Sequence, residues 1–263
     1  MAGPASEPVH DPAKAALAWM HTARFLVTAT QLDELPQTEL PEIAFVGRSN
    51  AGKSSAINIL AQQRQLAFAS GTPGRTQHIN YFELGPRQAP DALLVDLPGY
   101  GYAAVARDAK LRWQRVMADY LKWRRNLTAI VVLVDSRHGF TEIDRRLLAF
   151  VAPRLRGAGS CRLLVLLTKI DKLKRADRAR ALFEAEGVLA DLTARSVPGD
   201  PEGAHADDSG SASESDGDAD VSLSPFSTVD RTGVEDIAML LHGWTRAPAP
   251  AAAAAPAPAP EVA

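Results

Sequence analysis

The chain has 263 residues, 46% of them hydrophobic, a formal net charge of −2 and one cysteine. That length allows one sizeable buried core, the lone Cys161 excludes an intramolecular disulfide, and no apolar run of about 18 residues is present to span a bilayer. The charge is uneven: residues 199–222 hold eight acids and no Lys or Arg, so the remainder carries about +6, a balance that suits RNA as well as a merely solvated basic surface.

Residues 1–17, rich in Ala, Pro and Gly, read as a flexible arm. They contain no apolar h-region with a small-residue cleavage site, so a reducing cytoplasmic location is expected. A domain over 18–246 follows, with Phe25–Thr30 a short apolar segment docked on it. Ile43–Val46 is a buried strand and Lys53–Ala61 a helix. Ile79–Leu84 and Ala92–Asp96 read as strands, Asp108–Asn126 as a long helix and Ala129–Asp135 as a buried strand. Glu142–Arg156 is a helix, Arg162–Thr168 a buried strand and Arg175–Leu192 a helix. Continuous apolar runs separated by helical periodicity predict an α/β fold, a mostly parallel sheet with helices on both faces. The tract 197–222 lacks the apolar residues needed to offset the entropy of ordering and reads as a disordered acidic insertion. Structure resumes near Ser224, Gly233–Trp244 is a last amphipathic helix, and the Ala/Pro stretch 247–263 is a low-complexity tail.

Residues Gly47, Arg48, Ser49, Asn50, Ala51, Gly52, Lys53 and Ser54 spell G-x-x-x-x-G-K-S after the strand and before the helix. In that context the two glycines let successive N–H groups wrap phosphate oxygens, with the positive end of a helix beneath them. Lys53 would reach the β- and γ-phosphates of a nucleotide, and Ser54 would ligate Mg²⁺. Asp96, Leu97, Pro98 and Gly99 lie at the carboxyl end of an apolar run, where open sheets bind ligands. Asp96 would hold Mg²⁺ through water, and the Gly99 N–H would meet the γ-phosphate. Thr168, Lys169, Ile170 and Asp171 read the base, because a carboxylate accepts from both N1–H and the 2-amino group of guanine, a pair adenine lacks. GTP is therefore expected over ATP.

Phe226, Ser227 and Thr228 fit a loop whose N–H groups contact the guanine 6-oxo group. Between the first helix and the next strand, Thr72-Pro-Gly-Arg-Thr76-Gln reads as a loop sensing the γ-phosphate, with Thr76 the second Mg²⁺ ligand. Tyr100 follows Asp-x-x-Gly where a water-orienting Gln stands in Ras-type enzymes, so slow intrinsic hydrolysis is expected. Asn50 could direct an oxygen toward K⁺ beside the phosphates. Lys53, Asn50, Thr76 and Gly99 are thus the candidate catalytic groups. Lys110, Arg112, Arg115, Lys122, Arg124 and Arg125, interleaved with Trp113, Tyr120 and Trp123, could form a nucleic-acid surface. Trp113, Val116, Met117 and Tyr120 equally describe a helix's core face.

Gly-Arg-Ser-Asn-Ala-Gly-Lys-Ser-Ser, Pro-Gly-Arg-Thr-Gln, Leu-Pro-Gly-Tyr-Gly-Tyr-Ala, Trp113-Gln114 and Thr-Lys-Ile-Asp together resemble the EngB (YihA/YsxC) family of bacterial GTPases. The resemblance runs from about Phe25 to Trp244. It departs from the family at Ile170, where Ala is usual, at the acidic insertion and at the tail. It implies a P-loop NTPase of the Ras-like GTPase fold with a six-stranded sheet, binding GTP or GDP and Mg²⁺. It also implies a monomer acting in large ribosomal subunit assembly on ribosomal RNA and proteins, and needed for cell division and septation. Carried over by position, Gly74, Arg75, Thr76, Gln77 and His78 join Asp96–Gly99 around the γ-phosphate. The alternative is a nucleotide-gated binding module of the division machinery with incidental hydrolysis.

Overall fold

The computed structural model describes residues 11–67, 78–101, 107–155, 161–194 and 220–246, with 107–114 described as backbone only. Its centre is a sheet of seven strands: β1 (Arg24–Ala29), β2 (Glu42–Gly47), β3 (Ile79–Leu84), β4 (Ala92–Asp96), β5 (Leu127–Asp135), β6 (Arg162–Thr168) and β7 (Val221–Pro225). The spatial order is β1-β3-β4-β2-β5-β6-β7. Only β3 runs against the others, being antiparallel to both β1 and β4.

Among the described residues six α-helices flank the sheet: α1 (Pro12–Met20), α2 (Lys53–Leu60), α3 (Arg107–Trp123), α4 (Glu142–Val151), α5 (Arg175–Ala194) and α6 (Val234–Arg246). Because strand side chains alternate, Phe45, Leu94, Val131 and Leu164 join α1, α2 and α6 in one core. Val46, Val95, Val132 and Val165 join α3, α4 and α5 in the other. Each fully buried aliphatic side chain contributes on the order of 1.5–3 kcal/mol, which is why the central strands hold their register.

Three sequence expectations change. The sheet has seven strands rather than six, because the segment at Phe25 is itself a strand that closes the outer edge of β3. An Arg24–Glu83 ion pair at 2.8 Å and a Thr28–Asn80 hydrogen bond at 2.8 Å fix its register. The expected arm 1–17 contains the start of α1. Asp11 caps that helix by accepting from the Ala13 N–H at 3.0 Å, and Pro12 occupies the first turn. Trp19 then anchors it, stacking on His242 of α6 with ring centroids 4.9 Å apart and donating to Asp91 at 2.7 Å. Finally, β7 starts at Val221, inside the span read as insertion. The Asp220 carbonyl accepts from the Leu163 N–H at 2.9 Å, and Arg162 pairs with the Asp220 carboxylate at 3.0 Å. The arm over 1–10, the insertion over 197–219 and the tail 247–263 lie outside the described residues.

A buried carboxylate fixes the corner where α3 meets β2 and β5. Glu42, fully buried, accepts from Tyr120 Oη at 2.7 Å, from Arg124 Nη2 at 2.6 Å and from Asn126 Nδ2 at 3.3 Å. A charge desolvated this fully is tolerated only with such complete pairing.

Candidate functional site

The candidate phosphate loop, residues 47–54, sits at the carboxyl end of β2. Gly47 is dictated by crowding, since a Cβ there would lie 2.9 Å from the Leu133 carbonyl oxygen on β5. Asn50 and Gly52 both take left-handed backbone, at φ 68° and 94°, which folds residues 48–52 back before α2 begins. Arg48 and Ser49 are half-buried, Asn50 is exposed and Ala51 is buried, its N–H donating to the Arg48 carbonyl at 2.9 Å. Gly52 caps α2 without any side-chain acceptor, so the N–H groups of the first turn face the loop's concave side as a positive helix end.

Lys53 and Ser54 occupy that first turn. The Lys53 ammonium forms an ion pair with Asp96, and both side chains are buried. Asp96 ends β4, and the chain turns from it across the phosphate loop. Leu97 N–H donates to the Phe45 carbonyl at 3.0 Å, and Leu97 and Pro98 are buried. Gly99 packs so tightly on Ser49 that a Cβ would sit 3.2 Å from its nitrogen and Oγ. Tyr100 N–H donates to the Gly47 carbonyl at 3.2 Å, and its own carbonyl accepts from the Ser49 N–H at 3.0 Å. His78 is exposed at the entrance to β3, while Gly74, Arg75, Thr76 and Gln77 lie outside the described residues.

The base-reading candidates come from the ends of β6 and β7. Thr168 Oγ1 donates to the Ala51 carbonyl at 2.6 Å, and Lys169 Nζ to the Asn50 carbonyl at 2.7 Å. Ile170 is buried, its N–H donating to the Phe226 carbonyl at 3.3 Å. Its larger aliphatic side chain is thus accommodated inside the fold. Buried Ser227 donates from Oγ to Asp171 Oδ1 at 2.8 Å, and Lys172 lies 3.2 Å from Oδ2. Burial works to raise the Asp171 pKa, but the Ser227 and Lys172 hydrogen bonds outweigh it and keep the carboxylate charged. Phe226 is buried behind this loop and Thr228 is exposed. The structure therefore brings residues 47–54, 96–99, 168–171 and 226–228 to one edge of the sheet.

Two pairings at this edge escaped the motif reading. Asp135, at the end of β5, accepts from Lys169 Nζ at 2.8 Å and from Arg137 Nη2 at 2.7 Å. Burial would raise its pKa, yet the Arg137 and Lys169 hydrogen bonds hold it well below the usual carboxylate range. An acid at the carboxyl end of a buried strand was the available signal. Tyr100, expected only as a replacement for Gln, is buried and donates from Oη to Asp144 Oδ1 at 2.7 Å. Asp144 Oδ2 also accepts from the Thr141 N–H at 2.7 Å, closing the N-terminus of α4.

Chemically, the edge offers a concave row of amides with one ammonium at one end and a carboxylate with two potential acceptor oxygens at the other. Among the described residues no group of three or more His, Cys, Asp or Glu could hold a metal ion. The oxygens of Ser54 and Asp96, flanking a phosphate cradle, are the hard donor set that suits Mg²⁺ completed by phosphate and water.

Residues 42–169 match the family model described as "50S ribosome-binding GTPase". The chain is 65% identical over 166 residues to the "Probable GTP-binding protein EngB" of Acidovorax ebreus, covering 63% of this chain and 75% of the relative. It is 50% identical over 229 residues to the protein of the same description from Albidiferax ferrireducens, covering 87% of this chain and 96% of that relative. A crystal structure of an EngB protein shares the fold with a TM-score of 0.52 at 19% identity, covering 78% of this chain and 98% of the other.

Proposed function

The chain belongs to the EngB family and is a GTPase, and from that premise we propose that it is a nucleotide-controlled switch in assembly of the large ribosomal subunit, required for normal cell division and septation. The observation that supports a single guanine-nucleotide site most strongly is the Thr168 and Lys169 hydrogen bonds to the Ala51 and Asn50 carbonyls. They fix the base-reading loop against the phosphate loop, so one nucleotide can touch both.

In this reading the amides of residues 48–54 and the Lys53 ammonium hold the α-, β- and γ-phosphates, and Asp171 accepts from N1–H and the 2-amino group of guanine. The amides of Phe226–Thr228 face the 6-oxo group. Ser54, with Thr76 from outside the described residues, would hold Mg²⁺, and Asp96 would accept from its bound water. The cation would supply charge neutralisation to the phosphates. Lys53 turns its ammonium from Asp96 toward the γ-phosphate oxygens, and the Gly99 N–H donates to the same group.

Tyr100, whose hydroxyl is committed to Asp144, leaves no side-chain amide to orient the attacking water, which supports slow intrinsic hydrolysis. Asn50, exposed on the rim of the loop, would offer its side-chain oxygen to K⁺ beside the phosphates, and the turnover rate in potassium against sodium chloride tests that role.

Loss of the γ-phosphate would free the Gly99 amide, and with it the surface that docks on the subunit precursor. Sedimentation with large-subunit particles in GTP analogue, GDP or neither tests the switch. Analogue-dependent association is expected. Equal recovery in all three conditions, or none, would defeat the proposal.

A further inference from the structure

The basic, aromatic-rich end of α3 divides into two sets of residues with different fates. Met117, Tyr120 and Leu121 are buried in the core, and Arg124 is drawn in to the Glu42 carboxylate at 2.6 Å. Trp123 is not: the residue is 67% exposed. Tryptophan is highly buried on average, so an open indole ring at a helix end is available for a contact outside the fold. Lys122 Nζ stands 4.8 Å from the centre of that ring. Among the described residues neither Lys122 nor the exposed Arg125 has an acidic partner.

The patch continues onto α4. Arg154 donates to the carbonyls of Lys122 and Arg124 at 2.7 and 2.9 Å, which sets the C-terminal ends of α3 and α4 side by side. One turn before Arg154, Phe150 is 41% exposed. Against the single carboxylate of half-buried Asp119, one turn back on α3, stand the exposed cations Lys122 and Arg125, so positive charge prevails at the rim. Two open aromatic rings bordered by unpaired cations match an RNA strand, whose bases stack on rings while its phosphates meet ammonium and guanidinium groups. A protein partner would favour an apolar centre depleted in lysine, whereas here lysine borders the ring.

We infer that the corner formed by Lys122, Trp123, Arg125 and Phe150 is a docking site for single-stranded RNA. It lies at the opposite pole of the sheet from the phosphate loop, because α3 leads into the amino end of β5 while the loop follows the carboxyl ends. The nine residues of β5 separate the two by about 30 Å at ~3.3 Å per residue. The site thus holds RNA without touching the nucleotide. It extends the proposed ribosomal role by naming the surface and the partner's chemistry.

The test uses the full chain loaded with GTP analogue, a fluorescent single-stranded adenosine 12-mer and purified large ribosomal subunits. Trp123→Ala should weaken 12-mer binding roughly 5- to 150-fold, the range measured for loss of one stacking ring, and Trp123→Phe should recover most of it. Lys122→Gln with Arg125→Gln should flatten the salt dependence by about 1.4 in log–log slope, ~0.7 per phosphate contact. GTP turnover and GDP affinity should match wild type in every variant, which also shows that each is folded. Unchanged 12-mer affinity in Trp123→Ala overturns the inference, as does loss of binding only to ribosomal proteins stripped of RNA. Failure of wild type to sediment with subunits, with Trp123-dependent 12-mer binding intact, removes the ribosomal role and leaves the RNA site standing.

Discussion

The Thr168 hydroxyl donates to the Ala51 carbonyl at 2.6 Å, joining two loops 117 residues apart in sequence. The Val134 carbonyl shares the same proton at 3.2 Å, the longer arm of a three-centre bond, so one side chain ties β6 to β5 and to the candidate phosphate loop. Thr168→Val keeps the shape and strands both carbonyls in a buried setting. The expected cost is about 1–3 kcal/mol of stability in denaturant, with GDP binding weakened in step, measured by calorimetry.

Asp135 should show its role through pH. Its carboxyl titrates lower in the fold than in the unfolded chain, so its ion pairs with Lys169 and Arg137 stabilise fully above the unfolded value of about 4 and are lost as pH falls below it. Asp135→Asn does not titrate. The stability gap between wild type and this variant is therefore expected to be largest near neutrality and to shrink below about pH 4. A gap that is flat across this range would show that the pairing contributes nothing.

Gly99 is held so closely against Ser49 that a methyl group would lie 3.2 Å from its backbone nitrogen and Oγ. Gly99→Ala must separate the loop of Asp96–Gly99 from the phosphate loop by a few tenths of an ångström. Because the Gly99 amide is assigned to the γ-phosphate, affinity for a GTP analogue should fall about tenfold while GDP affinity holds, as a lost charge-assisted hydrogen bond of roughly 1.5 kcal/mol implies. Equal losses for both nucleotides would place the effect in the phosphate loop as a whole.

Removing the Tyr100 hydroxyl by Tyr100→Phe leaves buried Asp144 with only its Thr141 donors. Stability should drop by about 1–3 kcal/mol. GDP affinity should persist, since the main-chain bonds from Tyr100 to Gly47 and Ser49 survive the change.

Legibility in the sequence followed the strength of the local constraint. The tight turn over residues 47–54 was readable because such a backbone tolerates few residue types: a Cβ at Gly47 would lie 2.9 Å from the Leu133 carbonyl oxygen, and Gly52 takes left-handed backbone. β5 and β6 were readable because both faces are buried and their apolar runs are continuous. β1 was not readable as a strand. Only Ala29 is buried, and a bulge between Phe25 and Val27 breaks the alternation that would have marked it. The Asp11-Pro12 signal for α1 was present but lay in Ala/Pro-rich surroundings that read as an arm. The Asp135–Lys169 and Tyr100–Asp144 pairs depend on how α4 and the strand ends meet in space, which no spacing rule conveys.

The account depends most directly on Asp171 meeting guanine while the loop at Lys53 grips the phosphates. Affinities of wild type and Asp171→Asn for GDP and xanthosine diphosphate, measured with magnesium, test that arrangement. The amide should lose GDP by at least tenfold and gain the xanthine nucleotide, because it replaces one acceptor with a donor facing the 2-position. Unaltered preference for GDP in Asp171→Asn would contradict it.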